Sequence, residues 1–258
     1  MSTPATTPLT YNLYVQQLAN MAVVGVTTVS GVVVPVDPSF ATLIPQALNY
    51  AELRIQRDLD ILPSVTTINY SLTPNNNILQ LGVNDFVTVQ TITISYNGNT
   101  YTLLPTTKEF LQNVYGSSGS AAMPQYFAMY GGDYATAGNT YNNVLLGPYP
   151  DNAYSVTVSG TIRMPTLGNN SSSALASTAT TFISTYYPDL LIQASMIYVA
   201  QYQRNFGSAS NDPSMGPTYE LQYENLLKNA LTEESRKRFA GAEWTSYAPT
   251  PTASIPRG

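Results

Sequence analysis

The sequence predicts an α+β protein: a helical bundle formed by N- and C-terminal helices, an inserted antiparallel β sandwich or barrel module, and an extended C-terminal tail. Three observations lead there. Apolar residues recur at steps of three and four before residue 60 and again after residue 188. Between residues 61 and 165 the step falls to two. After residue 240 no period remains, although aromatic residues do. The expected divisions are therefore 1–60, 61–165, 166–240 and 241–258.

The first helix is expected over residues 9–23. Tyr11, Tyr14, Val15, Leu18, Met21 and Ala22 form its stripe. The run from Gly25 to Asp37 is β-branched and punctuated by glycine, which predicts an exposed loop or a short hairpin. Pro38 to Asp60 reads as the segment around which the chain is organised. Ile44, Leu48, Ala51, Ile55 and Leu59 make one helical stripe, with Asp37 as N-cap and Pro38 in the first turn. Pro45 removes a backbone donor and crowds the carbonyl four residues back, so a fresh helix start is expected near it. Tyr50, Arg54, Arg57 and Asp58 share the polar face, with Arg54 and Asp58 four apart.

Alternation then begins. Ile68, Tyr70 and Leu72 point one way, and residues 78–81 form a second short strand. Along residues 86–96, Val87 and Val89 lie on one face but Ile92, Ile94 and Tyr96 on the other. That phase switch near Gln90 predicts a β-bulge or a strand buried on different faces at its two ends. Asn97-Gly98 marks a tight hairpin, because both positions tolerate positive φ. A short helix is expected over 107–115, capped by Thr106 or Thr107, and two strands over 124–130 and 144–147. Residues 154–164 alternate cleanly, as expected of a sheet with one wet face.

Residues 166–178 have the composition of a linker. Leu191, Ala194, Tyr198 and Tyr202 then form a helical stripe after Pro188. Pro217 opens the last helix, whose expected inner face is Tyr219, Tyr223, Leu226, Leu227, Ala230 and Leu231. Arg236, Lys237 and Arg238 follow Glu233 and Glu234, a pattern that suits a helix C-terminus better than a nucleic-acid patch.

Composition narrows the function. Only 10 % of the 258 residues are charged, and Thr, Ser, Asn and 20 tyrosines fill the deficit. Uncharged, tyrosine-rich surface suits protein–protein contact, though Thr and Tyr also favour strands. The net charge of −5 supplies no global field for nucleic acid. The chain contains no cysteine and no histidine. That removes disulfides, thiolate nucleophiles, zinc-thiolate sites and every triad or dyad built on histidine. No glycine-rich phosphate loop is present, and no apolar run approaches the roughly 18 residues of a membrane span. The N-terminus lacks the basic and apolar regions of a signal peptide, which predicts a chain made and kept in a cytoplasm. Acid pairs are the catalytic possibility left, namely Asp58 with Asp60, Glu233 with Glu234, or the loop residues Asp133 and Asp151. None is singled out as an acid facing a base. No cofactor and no metal is expected.

The run Ile44-Pro45-Gln46-Ala47 through Ala51-Glu52-Leu53-Arg54-Ile55-Gln56-Arg57-Asp58-Leu59-Asp60 resembles head-to-tail adaptor (connector) proteins of tailed bacteriophages, particularly short-tailed ones. Tyr219, Glu220, Tyr223 and Leu227 are compatible with the same family. The resemblance implies a structural, non-enzymatic virion protein, assembled in the host cytoplasm. Such a protein forms a homo-oligomeric ring, typically of twelve copies, beneath the portal. It binds the portal protein on one side and tail or nozzle proteins on the other, and genomic DNA passes through its lumen. Tyr50, Arg54, Arg57 and Asp58 are then the expected subunit or portal interface. Trp244, Tyr247, Ile255 and Arg257 are the expected portal-binding residues of the tail. A second reading stays open beside it: a tail-associated module that binds carbohydrate through its tyrosines or cleaves it with an acid pair.

Overall fold

The computed structural model describes residues 8–82, 86–116, 121–131, 142–167, 178–205 and 215–240. The chain is mixed α+β. Its order begins α1 (Tyr11–Met21), β1 (Val26–Val29), β2 (Val32–Pro35), α2 (Pro38–Asp58). It continues β3 (Val65–Leu72), β4 (Ile78–Gln80), β5 (Thr88–Tyr96), β6 (Asn99–Thr102), β7 (Leu104–Pro105), α3 (Lys108–Val114). Then come β8 (Tyr126–Tyr130), β9 (Asn143–Gly147), β10 (Tyr154–Thr161), α4 (Phe182–Tyr186), α5 (Pro188–Asn205) and α6 (Met215–Ala240). The contacts divide the chain into two units, one of Met1–Leu62 with Thr166–Gly258 and one of Pro63–Pro165.

In the first unit, α1 starts where the Thr10 hydroxyl accepts from the Leu13 amide, and it buries Tyr11, Tyr14, Val15 and Leu18. The run after it is a hairpin rather than a loop. Ser30 and Gly31 take φ of 51° and 80°, so β1 and β2 join through a tight turn with both central residues left-handed. The Asn12 side chain accepts from Val33 N at 3.0 Å and donates to the Gly31 carbonyl at 2.8 Å, tying the hairpin to α1.

The α2 helix corrects the expected restart at Pro45. It runs unbroken from Pro38 to Asp58, with Asp37 accepting from the Ser39 amide as its N-cap. Phe40, Leu43 and Ile44 before the proline and Ala47 and Leu48 after it are all buried. Burying apolar side chains contributes roughly 1.5–3 kcal/mol each, which outweighs the one backbone hydrogen bond lost to an exposed proline. The centre of this unit is α5 rather than α2. It packs against α1, α2, α4 and α6, and residues 190–192, 194–197 and 199 are buried around most of its circumference. On α6, Tyr223 and Ala230 are buried, but Leu231 is exposed, which corrects its expected place on the inner face. The helix also begins at Met215, so Pro217 lies within its first turn.

The second unit holds two four-stranded sheets, ordered β3-β10-β5-β6 and β4-β9-β8-β7. All pairings are antiparallel except β7 with β8, where Leu104 and Pro105 run parallel to Tyr126 and Phe127. The antiparallel expectation is therefore corrected at this edge. Ile92, Ile94, Val156 and Val158 of the first sheet share one core with Leu79, Phe127, Val144 and Leu146 of the second. On the other side of the second sheet, Ala128 and Leu145 pack with Leu111 of α3, whose N-cap is Thr107. Asn97 and Gly98 take φ of 50° and 78° in the β5–β6 turn. Gly98→Val forces a β-branched residue into the left-handed region. We expect it to destabilise the second unit by about 1 kcal/mol or more, read as a lower urea midpoint at unchanged slope.

Candidate functional site

The polar face of α2 meets α6. Arg54 donates to both carboxylate oxygens of Glu220, through Nη1 at 2.9 Å and through a shorter contact from Nη2. Its guanidinium lies 4.3 Å from the centre of the Tyr223 ring, and its Nε is 3.5 Å from Asp58 Oδ2. The Tyr223 hydroxyl donates to that same Asp58 oxygen at 2.8 Å. Four side chains from two helices thus close on one another. A planar fork suits this place, because it bridges a carboxylate and stacks on a ring together. The hydrogen bond to Glu220 raises the Arg54 pKa, and Arg54 in turn holds the Glu220 carboxyl below its usual range. Burial, then the bond to Asp58, pushes the Tyr223 hydroxyl up.

The other residues expected on this face lie differently. Tyr50 is exposed, and its ring sits 5.3 Å from that of Tyr198, whose hydroxyl donates to Gln46 at 3.1 Å. Arg57 is exposed and makes no ion pair among the described residues. Trp244, Tyr247, Ile255 and Arg257 lie outside the described residues.

Two acids are buried that the sequence alone does not place in the core, although Glu234 stands in it as a possible acid pair with Glu233. Glu234 is 2 % exposed and accepts from the Leu62 amide at 3.0 Å, from Lys237 Nζ at 2.8 Å and from the Tyr187 hydroxyl. Burial pushes its carboxyl up, but these donors win and hold it below the usual range. Burial and the bond to Glu234 push the Tyr187 hydroxyl up to about 12. Lys237 also reaches Glu233 at 2.8 Å and stands over the rings of Phe182, Tyr186 and Tyr187. Next to it, Arg238 pairs with the Asp60 carboxylate and donates to the Asp60 carbonyl at 3.1 Å. The end of α6 is therefore stitched to α4 and to the chain just past α2.

The second acid is Glu52 of α2. It is fully buried, and its Oε1 accepts from the Leu167 amide at 2.9 Å. Burial pushes its carboxyl up to about 7. Nearby, the Tyr14 hydroxyl donates to Ser195 Oγ at 2.9 Å, and Ser195 donates to the Leu191 carbonyl at 2.8 Å. Both buried acids continue apolar stripes. Glu52 lies four residues after Leu48 and three before Ile55, and Glu234 lies four after Ala230. An acid on an apolar stripe was the available signal.

Chemically, these carboxylates are taken up in structural pairings, several of them between elements. Asp58 takes Tyr223 and Arg54, Asp60 takes Arg238, and Glu233 and Glu234 share Lys237. Asp151 accepts from the hydroxyl of Tyr154 at 2.5 Å, and Asp133 lies outside the described residues. Among the described residues no group of three or more acids is gathered around a possible metal position, and no helix is long and apolar enough to cross a membrane. No curated protein matches the chain. A family model described as SU10 adaptor protein matches residues 21–250.

Proposed function

Because the chain belongs to the SU10 adaptor protein family, a family of bacteriophage structural adaptors, we propose that it is the head-to-tail adaptor of a short-tailed phage. In this reading it assembles as a ring of twelve copies, joins the portal to the tail nozzle, and lines the channel through which the genome passes. The family match over residues 21–250 carries the reading. The absence of histidine and cysteine from the whole sequence supports a structural rather than catalytic role. So do Asp58, Asp60 and Glu234, whose carboxylates each tie α6 to another segment. The family favours this role over the carbohydrate module. The proposed architecture is a helical bundle from residues 1–60 and 166–240 carrying a β sandwich, with residues 241–258 as an extended tail. A channel lined by copies of an acidic chain would let DNA slide rather than hold it.

The test is electron microscopy of particles and of the purified chain mixed with portal. A closed ring at the head–tail joint is expected. Particles that contain the protein elsewhere, or a chain that stays monomeric beside the portal, would overturn the proposal.

Two surfaces are proposed for contact. On α2, Arg54 and Asp58 hold α6 while Arg57, with Tyr50, faces the neighbouring subunit or the portal. On the tail, Trp244, Tyr247, Ile255 and Arg257 reach the portal. Prolines at 249, 251 and 256 lower the entropy lost when an extended segment docks, and an indole buries more apolar area than any other side chain in that segment. Deleting residues 244–258 should abolish co-sedimentation with portal-containing capsids while leaving far-ultraviolet circular dichroism unchanged. Unchanged sedimentation would return the portal contact to the helices.

A further inference from the structure

Among the described residues of the helical unit, one buried acid has its hydrogen bonding left half complete. Glu52 is fully buried on α2, and Oε1 takes the Leu167 amide at 2.9 Å. Oε2 is buried and has no hydrogen-bond partner among the described residues. Leu167 is buried too, just after the chain has returned to this unit at Thr166. A buried carboxylate needs donors at both oxygens to offset its lost hydration, whereas a neutral acid needs far less. Among the described residues one donor is present.

We propose that Glu52 is a protonation-controlled latch: as a neutral acid it pins the backbone at Leu167 to α2, and as a carboxylate it loosens that attachment.

The surroundings support this. Among the described residues, the titratable side chains of the neighbouring helices that reach groups on α2 are Tyr14 of α1, Tyr198 of α5, and Glu220 and Tyr223 of α6. Tyr14 is the one coupled to the charge of Glu52, and its own hydroxyl is given to Ser195. Tyr198 is bonded to Gln46, and Glu220 and Tyr223 are held by Arg54 and Asp58. The strand β2, also packed on α2, carries no titratable side chain. Burial pushes the Glu52 carboxyl from 4.5 up to about 7, with the Leu167 amide pulling the other way. The sign follows from linkage. The folded pKa lies above the unfolded one, so the folded state binds the extra proton. The stabilisation is fully present below about pH 4.5 and is lost as the pH rises through about 7.

The experiment uses the full chain. The 13Cδ resonance of Glu52 is followed against pH, and amide exchange at Leu167 is compared in the native protein and in Glu52→Gln, which keeps the acceptor and cannot ionise. The expected midpoint is near pH 7. After correction for the intrinsic rate, Leu167 protection in the native protein should fall about tenfold for each pH unit between about 4.5 and 7, level off above that, and stay constant throughout in the variant. A midpoint in the ordinary carboxylate range would overturn the latch, as would the same exchange profile in both proteins. If the variant fails to fold, the resonance of the native protein decides alone.

Discussion

Gly160→Val is expected to remove the cooperative unfolding transition of the second unit. The residue lies in β10 where its pairing with β5 slips: Ser159 faces Thr91, but Gly160 faces Val89, and Gln90 is left over as the bulged residue. A Cβ at position 160 would come within 2.2 Å of the Thr88 carbonyl oxygen, 2.9 Å of Phe86 Cδ1 and 3.1 Å of Val89 Cα. The first and last of these are backbone atoms of the paired strand. They can withdraw only by breaking the ladder beside the bulge, where Val87 N donates to the Thr161 carbonyl at 2.7 Å. Over-packing a core costs about 1–3 kcal/mol, and more when backbone must move. We therefore expect a loss of about 3 kcal/mol or more for valine and a smaller loss for alanine. Urea unfolding followed by far-ultraviolet circular dichroism measures both. A valine variant with the native midpoint would show that β10 and β5 do not approach this closely.

The bulge is one of the features that the sequence made legible. Its sign was a change of phase, since a strand must keep period two unless a residue is inserted. The α1 stripe, the Asp37 and Thr107 caps and the Asn97-Gly98 turn were legible for the same reason: each depends on residues within one turn of one another. The helix α5 was legible too, through Leu191, Ala194 and Pro188, but its central position was not. A helix buried on most sides shows a stripe without a contrasting polar face, so the stripe does not reveal that α5 packs against four other elements of its unit. The α2 helix, amphipathic and half exposed, looked like the organiser instead. Pro45 reads as a break because local propensity carries no trace of the tertiary burial of Phe40, Leu43 and Ile44 on its near side. The parallel pairing of β7 with β8 carried no sequence signal, because two residues are too few to show a period.

The polar cluster divides along the same line. Arg54 with Asp58 was legible, being four residues apart on one helix. Glu220 lies 166 residues away from Arg54 and becomes its partner only when α6 packs beside α2. Nothing local distinguishes Arg54, held on three sides, from Arg57, exposed three residues later.

That difference gives the second large effect. Arg54→Glu should destabilise the helical unit, and Arg57→Glu should not. The Arg54 side chain is 22 % exposed, so solvent screens part of its interaction. Reversal nevertheless sets a third negative charge beside Glu220 and Asp58 and removes the cation from the Tyr223 ring. Breaking a buried pair costs about 3–5 kcal/mol, and this half-shielded cluster should lose about 2 kcal/mol, or roughly 4–8 °C in Tm. Arg54→Lys should lie between, since an ammonium keeps the charge but cannot fork or stack as a guanidinium does. Arg57→Glu should stay within about 0.5 kcal/mol of the native chain, as exposed substitutions away from partners do. It should nonetheless block incorporation into the proposed ring, if the exposed end of α2 faces a neighbour. Thermal melts and sedimentation with portal-containing particles separate the two effects. Native stability in Arg54→Glu would show that the α2–α6 cluster contributes nothing. Normal assembly of Arg57→Glu would leave that end of α2 merely solvated and move the subunit contact to another face.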